Sequence, residues 1–436
     1  MDKEHYNKLL KESITNSYNL ADDQSADLIN RELKPITDSL NISDMIKAMT
    51  NTQSFITLKD HKDNFQNKQK CRLINLAKIN LGPWVSKQIL ENIKSKVRSH
   101  TKANQWRNTT AIIDWFKNLR NKPALSFVVF DIVDFYSSIA ESLLLQALEY
   151  ASQFAAISEQ DKSIIMHTRK SLLFDNDKPW CKKNNANMFD VTMGSFDGPE
   201  VCELVGLLIL SKLKCEFSNK VIGVYRDDGL TVFRNIGPRP ADNLRTRITK
   251  CFDRLALKIA IQSNLKIVNY LDVTFNLTNN SYYPYRKLDN PPRYINIHSN
   301  HLPSIIKQVP DAISKRISSL SCNIDEFNKA APLYNEALKK SGFNDQFSYR
   351  STDHQQQPKN NRQRKVNWLN PPYSKNVHTN VGKTFLHLVT KHFPSGHAVN
   401  KIFNRRNTKV SYSCMGNMSS IIKHHKEKSL TTTTKP

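Results

Sequence analysis

The sequence has no cysteines at CxxC spacing. Its seven, Cys71, Cys181, Cys202, Cys215, Cys251, Cys322 and Cys414, are scattered and odd in number. This pattern argues against a disulfide framework or a zinc knuckle and fits a reducing, intracellular setting. Long apolar runs are also lacking: the longest, around Leu204–Leu210, is far below membrane-spanning length, and the opening MDKEHYNKLLKES is charged. Neither secretion nor membrane insertion is expected. His298, His301, His424 and His425 have no Cys or carboxylate set at zinc spacing, so no zinc is assigned. No internal repeat is evident. Acidic residues are scarce, with 39 Asp and Glu against 64 Lys and Arg and a formal net charge of +25, which points to a polyanionic partner such as nucleic acid.

At 436 residues the chain exceeds one ordinary core, and two or three subdomains plus extensions are expected. Residues 1–50 show helical spacing at Leu9, Leu10 and Ile14, at Leu28 and Leu33, and at Ile42 and Ile46, without catalytic chemistry. From Phe55 to Leu90 come a short apolar run, a basic polar loop, a second run opening Arg72-Leu73-Ile74, and a helical pattern from Trp84, which together predict a β-ribbon with a basic tip. SFVVF before Asp131 and VIGVY before Arg226 are strand-like, with helical patterns between them at Glu141–Phe154 and Gly198–Phe217, so the fold class is α+β. Residues 348–364 are polar and turn-rich enough to be a linker. Beyond them the chain is basic: residues 351–436 hold 15 Lys and Arg against 2 acidic residues, about half the net charge in a fifth of the length.

Two segments carry chemistry. In FVVFDIVDFY the apolar strand Phe127–Phe130 delivers Asp131 to the edge of a sheet. VIGVYRDDGLTVF reads as two strands around a tight Asp-Gly turn that displays Asp227 and Asp228 side by side. Adjacent carboxylates repel unless neutralised, which suits a metal site, and Mg²⁺ uses few protein ligands beside substrate phosphates. Two divalent ions about 3.5–4 Å apart stabilise the attacking and departing oxygens of an in-line displacement. Alone, each segment has a plain alternative: a DDG turn is an ordinary solvated hairpin tip, and Asp134 suits a helix N-cap. Their order is the informative feature: strand-Asp, a glycine-containing helix entry, then strand-DD-strand.

These motifs resemble the palm of reverse transcriptases, most of all those of the Penelope-like retroelements and their invertebrate relatives, over roughly residues 50–345. The resemblance implies a right-hand polymerase with an antiparallel palm sheet packed on helices and a basic C-terminal extension. It divides the chain into an N-terminal helical extension (1–50), fingers (51–120), palm (121–280), thumb (281–345), linker (346–366) and basic region (367–436). Asp131, Asp227 and Asp228 match the ligands of two Mg²⁺, for which Mn²⁺ can substitute. Phe135 and Tyr136 match the residues under the incoming sugar, Tyr136 being the bulky ring that excludes a 2′-hydroxyl and so favours dNTPs. MGSFDGPEVCELVG is similar to the template-gripping segment, with Gly194 allowing close backbone approach and Pro199 starting a helix. Gly198 stands where many relatives have Ser, and Met193 where some have Gln.

FITLKDHK and CRLIN resemble the fingers. Arg72 suits a bidentate grip on the triphosphate, and Lys59 and Lys62 suit point charges on phosphate or template. QSNLKIVNYLDVTFNL resembles the segment after the catalytic hairpin, implying Lys266 as a general acid for the leaving pyrophosphate and Tyr270–Phe275 as a primer grip. Arg286, Lys287 and Lys307 match thumb contacts to the duplex backbone. Relatives often continue into a GIY-YIG nuclease; only Ser411–Cys414 resembles the approach to one, and no endonuclease is credited to the chain. The expected activity is RNA-directed DNA synthesis with an RNA template, a DNA primer and dNTPs. Two rivals are a non-catalytic, retroelement-derived nucleic-acid-binding protein and an RNA-dependent RNA polymerase, the latter disfavoured by Tyr136.

Overall fold

The computed structural model describes residues 2–39, 53–59, 69–75, 81–183, 187–217, 222–234, 237–286, 292–351, 366–377 and 379–414. It divides into two compact units, Met1–Asp289 and Asn290–Pro436.

The first unit is built on a four-stranded antiparallel sheet. Its elements, in chain order, are α1 (Lys3–Ser17), β1 (Tyr18–Leu20), α2 (Ser25–Ser39), β2 (Phe55–Leu58), β3 (Cys71–Ile74), α3 (Leu81–Thr101), α4 (Thr109–Lys117), β4 (Leu125–Ile132), α5 (Phe135–Ser138), α6 (Glu141–Ser152), α7 (Glu159–His167), β5 (Leu173–Asp175), β6 (Lys178–Lys182), α8 (Gly198–Glu216), β7 (Ile222–Tyr225), β8 (Asp228–Arg234), α9 (Pro238–Asp253), β9 (Ile259–Leu265), β10 (Ile267–Tyr270), β11 (Val273–Asn276) and β12 (Ser281–Pro284). The central sheet runs β7-β8-β4-β9, and every neighbouring pair is antiparallel. Helix α8 is apolar nearly all round, as a helix enclosed by protein must be. The long apolar run Leu204–Leu210 is its buried centre, packed with α3, α6 and the sheet residues Val128, Phe130 and Ile132. Phe116 of α4 joins the sheet to a second one, β10-β11-β12, with its ring 4.9 Å from Phe275 and 6.3 Å from Phe127.

The expected ribbon is present as the antiparallel pair β2–β3, from Phe55↔Ile74 to Leu58↔Cys71; its tip lies outside the described residues. The N-terminal segment is integral to this region. Ile14 is fully buried with Ile56 and Leu173, and β1 pairs with β6 in the sheet β1-β6-β5, so residues 2–20 fold with residues 173–182 across a long sequence gap.

In the second unit α10 (Pro303–Leu320) and α11 (Ile324–Lys340) pack through Ile313, Ile317, Phe327, Tyr334 and Leu338. The start of the expected linker belongs to this pair: the Ser314 hydroxyl donates to the Ser348 carbonyl at 2.6 Å, and Tyr349 sits edge-on to Phe327 at 5.5 Å. Most of the linker lies outside the described residues. Farther on, β13 (Asn367–Leu369) pairs in parallel with β15 (Thr408–Val410), and β14 (Pro372–Tyr373) with β16 (Ser413–Cys414), with α12 (Val381–His392) in the crossover. Among the described residues no helix is long and apolar enough to cross a membrane.

Candidate active site

Strand β4 places Asp131 at its C-terminal end, exposed, with Asp228 of β8 directly opposite in the register. The Ile132 amide donates to the Asp227 carbonyl at 2.9 Å. This makes the next position, Asp131 with Asp228, a narrow non-hydrogen-bonded pair, in which the Cα atoms of an antiparallel ladder lie about 4.5 Å apart and the side chains share one face. The hairpin turn differs from the expected Asp-Gly. Tyr225 pairs with Asp228, so Arg226 and Asp227 form the two-residue turn, with Arg226 at φ 54°.

Gly229 lies inside β8, and its role is packing. A Cβ there would come 2.0 Å from Cζ of the buried Phe130 ring. Gly229→Ala should therefore cost about 1–3 kcal/mol as Phe130 is displaced, read as a lower urea midpoint. An unchanged midpoint would show that the ring yields freely. Gly223 of β7 is glycine for a similar reason, since Trp106 occupies the space of its Cβ at 2.3 Å.

Tyr270 was expected to face nucleic acid, but it is buried. Its hydroxyl donates to the Asp228 carbonyl at 2.7 Å, and its ring meets Trp106 edge-on. Burial, then the charge of Asp228, holds the phenol well above its ordinary range, so it remains the donor that braces the hairpin from behind. Lys266 is likewise displaced from its expected place. Its ammonium donates to the carbonyls of Pro123 and Leu125, at the opposite end of β4 from Asp131, roughly 20 Å along a strand of six intervening steps. It is not positioned to protonate a group held at Asp131. Phe135 points into the core with 2% of its surface exposed and cannot touch a substrate.

Tyr136 follows it on α5, half-buried at the foot of an open cavity of ≈ 880 Å³. Arg72, Lys59 and Lys70 line the same cavity from the ribbon, and the α1 residues His5, Leu9 and Glu12 also contribute to its wall. The Arg72 guanidinium is exposed and has no hydrogen-bond or ion-pair partner among the described residues. Lys62 lies outside the described residues. The ribbon is tied to the loop before α8, because the Asn75 amide donates to the Met193 carbonyl at 3.0 Å. Gly194, at φ 110°, is needed there, since a Cβ would come 2.7 Å from the Asn75 carbonyl oxygen. Pro199 occupies the first turn of α8 as expected. The departure at Gly198 has a local cause: a Cβ would meet Ser195 Oγ at 2.4 Å and Tyr136 Cε1 at 3.4 Å. Burial is the main cause that raises the Tyr136 phenol, with Cys202 and Asp227 adding to it and Arg226 opposing.

Two buried supports were not legible in the sequence. Asp197, just before α8, is fully buried and paired with the equally buried Arg169, whose Nε and Nη1 have no hydrogen-bond partner among the described residues. The Tyr18 hydroxyl donates to buried Asp190 at 2.5 Å, and Lys182 lies 3.1 Å from Asp190 while donating to the Ser137 carbonyl. This chain of contacts connects β1 and β6 to the helix that carries Tyr136. Arg286 is the last described residue of the first unit, and Lys307 is exposed on α10 of the second; Lys287 lies outside the described residues.

Among the described residues no three His, Cys, Asp or Glu side chains form a ready metal cage. Mg²⁺ does not require one, because it binds through one or two carboxylates with waters and substrate phosphates completing its shell. The hard oxygens of the facing Asp131 and Asp228, with Asp227 in the adjoining turn, fit that chemistry.

No protein-family model and no curated protein matches the sequence. Solved structures similar to it include the apo telomerase of Candida tropicalis (TM-score 0.46, 10% identity, 80% of this chain and 64% of that one). A form of that telomerase truncated from the C-terminal domain is similar at TM-score 0.39 and 12% identity, over 57% of this chain and 59% of that one. The RNA-dependent RNA polymerase of a human picobirnavirus is similar at TM-score 0.41 and 12% identity, over 78% and 75%. The chain thus spans less than two thirds of the length of the telomerase chains. Likenesses at these values establish neither family nor activity.

Proposed function

We propose that the chain is an RNA-directed DNA polymerase of a retroelement, most similar to the Penelope-like group, which extends a DNA primer on an RNA template with dNTPs. The observation that carries this reading is the facing pair Asp131 and Asp228, with Asp227 in the adjoining turn, together with Tyr136 sharing one cavity with Arg72 and Lys59. Asp131, Asp227 and Asp228 would hold two Mg²⁺, or Mn²⁺, which when bound stabilise charge on the attacking and departing oxygens. In the reaction the primer 3′-hydroxyl attacks the α-phosphate, the new phosphodiester forms, and pyrophosphate leaves. Arg72 grips the triphosphate tail through its planar guanidinium, and Lys59 adds a point charge. Tyr136 stands where the sugar enters. Gly194 lets the backbone approach the nascent pair. Lys266 has no part in the step.

The test is primer extension on an RNA template with Mg²⁺ or Mn²⁺, comparing dNTPs with rNTPs, for the wild type and Tyr136→Ala. Wild type should use dNTPs, and removal of the ring should raise ribonucleotide use relative to dNTPs by roughly 10–100-fold. Absence of extension under both metals would overturn the reading, and an rNTP preference in the wild type would replace it with RNA synthesis.

A further inference from the structure

The folded segment 366–414 of the second unit contains no Asp or Glu but seven Lys and Arg. Most folded surfaces intersperse charges of both signs, and a segment with cations only repels itself unless a polyanion covers it. One edge of this segment concentrates the effect. Trp368 of β13 is 60% exposed, far more than an indole needs for folding, and Lys409 of β15 is its register partner. Residues at matched positions in a parallel pair stand side by side on one face of the ribbon. Arg405 and Arg406 are exposed in the turn that leads into β15. That turn is fastened to β13: the Asn367 side-chain amide donates to the Ile402 carbonyl at 2.8 Å, its backbone amide to the Asn407 carbonyl at 2.7 Å, and the Asn407 amide to Asn404 Oδ1 at 3.0 Å. Neither guanidinium nor the Lys409 ammonium has a side-chain partner among the described residues.

We infer that Trp368, Lys409, Arg405 and Arg406 form a binding site for single-stranded nucleic acid, built from residues of the second unit alone. An exposed indole offers a flat face on which an unpaired base stacks, whereas duplex bases are already stacked on one another. The cations beside it follow the sugar–phosphate backbone. An acidic peptide would satisfy the charges but leave the indole uncovered, so a nucleic acid strand matches more of the surface. The site is argued from its own residues and does not require the polymerase reading.

The experiment measures binding of the full chain to a fluorescein-labelled single-stranded oligonucleotide and to its blunt duplex by anisotropy, without nucleotide or metal, across a salt series. Trp368→Ala should weaken single-strand binding by roughly 5–100-fold, leaving duplex binding and the salt slope as in the wild type, and Trp368→Phe should restore most of the loss. Arg405→Ala with Arg406→Ala should weaken binding and reduce the salt slope by about 1.4. Unchanged single-strand affinity in Trp368→Ala would overturn the proposal. So would an equal loss on single strand and duplex, or a Trp368→Phe variant as weak as Trp368→Ala. Because no synthesis is measured, a failure here is distinct from a failure of primer extension.

Discussion

Asp131→Asn should reduce metal-dependent primer extension by about a thousandfold or more while leaving template–primer binding intact. The substitution keeps the size and polarity of the side chain but removes the negative charge that would neutralise a divalent ion, and several kcal/mol of transition-state stabilisation corresponds to at least that factor. Asp227→Ala should have a comparable effect. Asp227 occupies the turn itself, and its backbone carbonyl, which accepts from Ile132, survives the change, so the hairpin retains its position. Asp228→Asn should also lower extension, because Asp228 faces Asp131 across the β4–β8 register. Steady-state extension with Mg²⁺, alongside an equilibrium binding assay, separates the outcomes. Full activity in Asp227→Ala would end the proposal. Salt-sensitive binding by the wild type without any synthesis would favour the non-catalytic alternative.

The second large effect concerns stability. Asp197→Ala should destabilise the first unit by about 3–5 kcal/mol, because it leaves the buried Arg169 guanidinium without its counter-charge. Two nitrogens of that guanidinium already have no hydrogen-bond partner among the described residues, so there is little local capacity to absorb the loss. The expected observation is a marked fall in urea midpoint at unchanged slope. Replacing both partners with apolar residues, Arg169→Met with Asp197→Leu, should recover much of the stability, since removing both charges avoids the unpaired one. A single variant as stable as the wild type would show that water reaches Arg169. Asp197 belongs to the same loop as Gly194 and adjoins Gly198, whose Cβ position would lie 3.4 Å from Tyr136 Cε1, so the same change should also loosen the surroundings of Tyr136.

Local pattern made the main elements readable. Strand β4, helices α6 and α8 and the ribbon β2–β3 follow their hydrophobic periods closely because each is bounded by clear turn or polar signals. The hairpin was legible as a hairpin but not in its turn. DDG suggested an Asp228-Gly229 turn, yet the turn lies two residues earlier, at Arg226 and Asp227, and Gly229 sits within β8, where its missing Cβ leaves room for the Phe130 ring. Tyr270, Phe135 and Lys266 carry motif residues whose surroundings the motif does not specify. Whether a ring meets solvent or core, and which carbonyls lie within reach of an ammonium, depend on neighbours distant in sequence, here Asp228, the α8 core and Pro123.

The sequence by itself determined the mixed class, the excess of cations, the order of the carboxylate motifs and the residue types available to them. These depend on composition and on spacing within a few residues, where backbone geometry fixes which side chains share a face. Only the tertiary structure decided that Asp131 and Asp228 stand opposite each other, that the N-terminal helix contributes to the wall of the cavity holding Arg72 and Tyr136, and that Arg169 and Asp197 are buried together. Those juxtapositions arise from strand register and from the packing of segments up to 172 residues apart, as between Tyr18 and Asp190. No local spacing encodes them, because the free energy that selects them comes from burying the whole core at once.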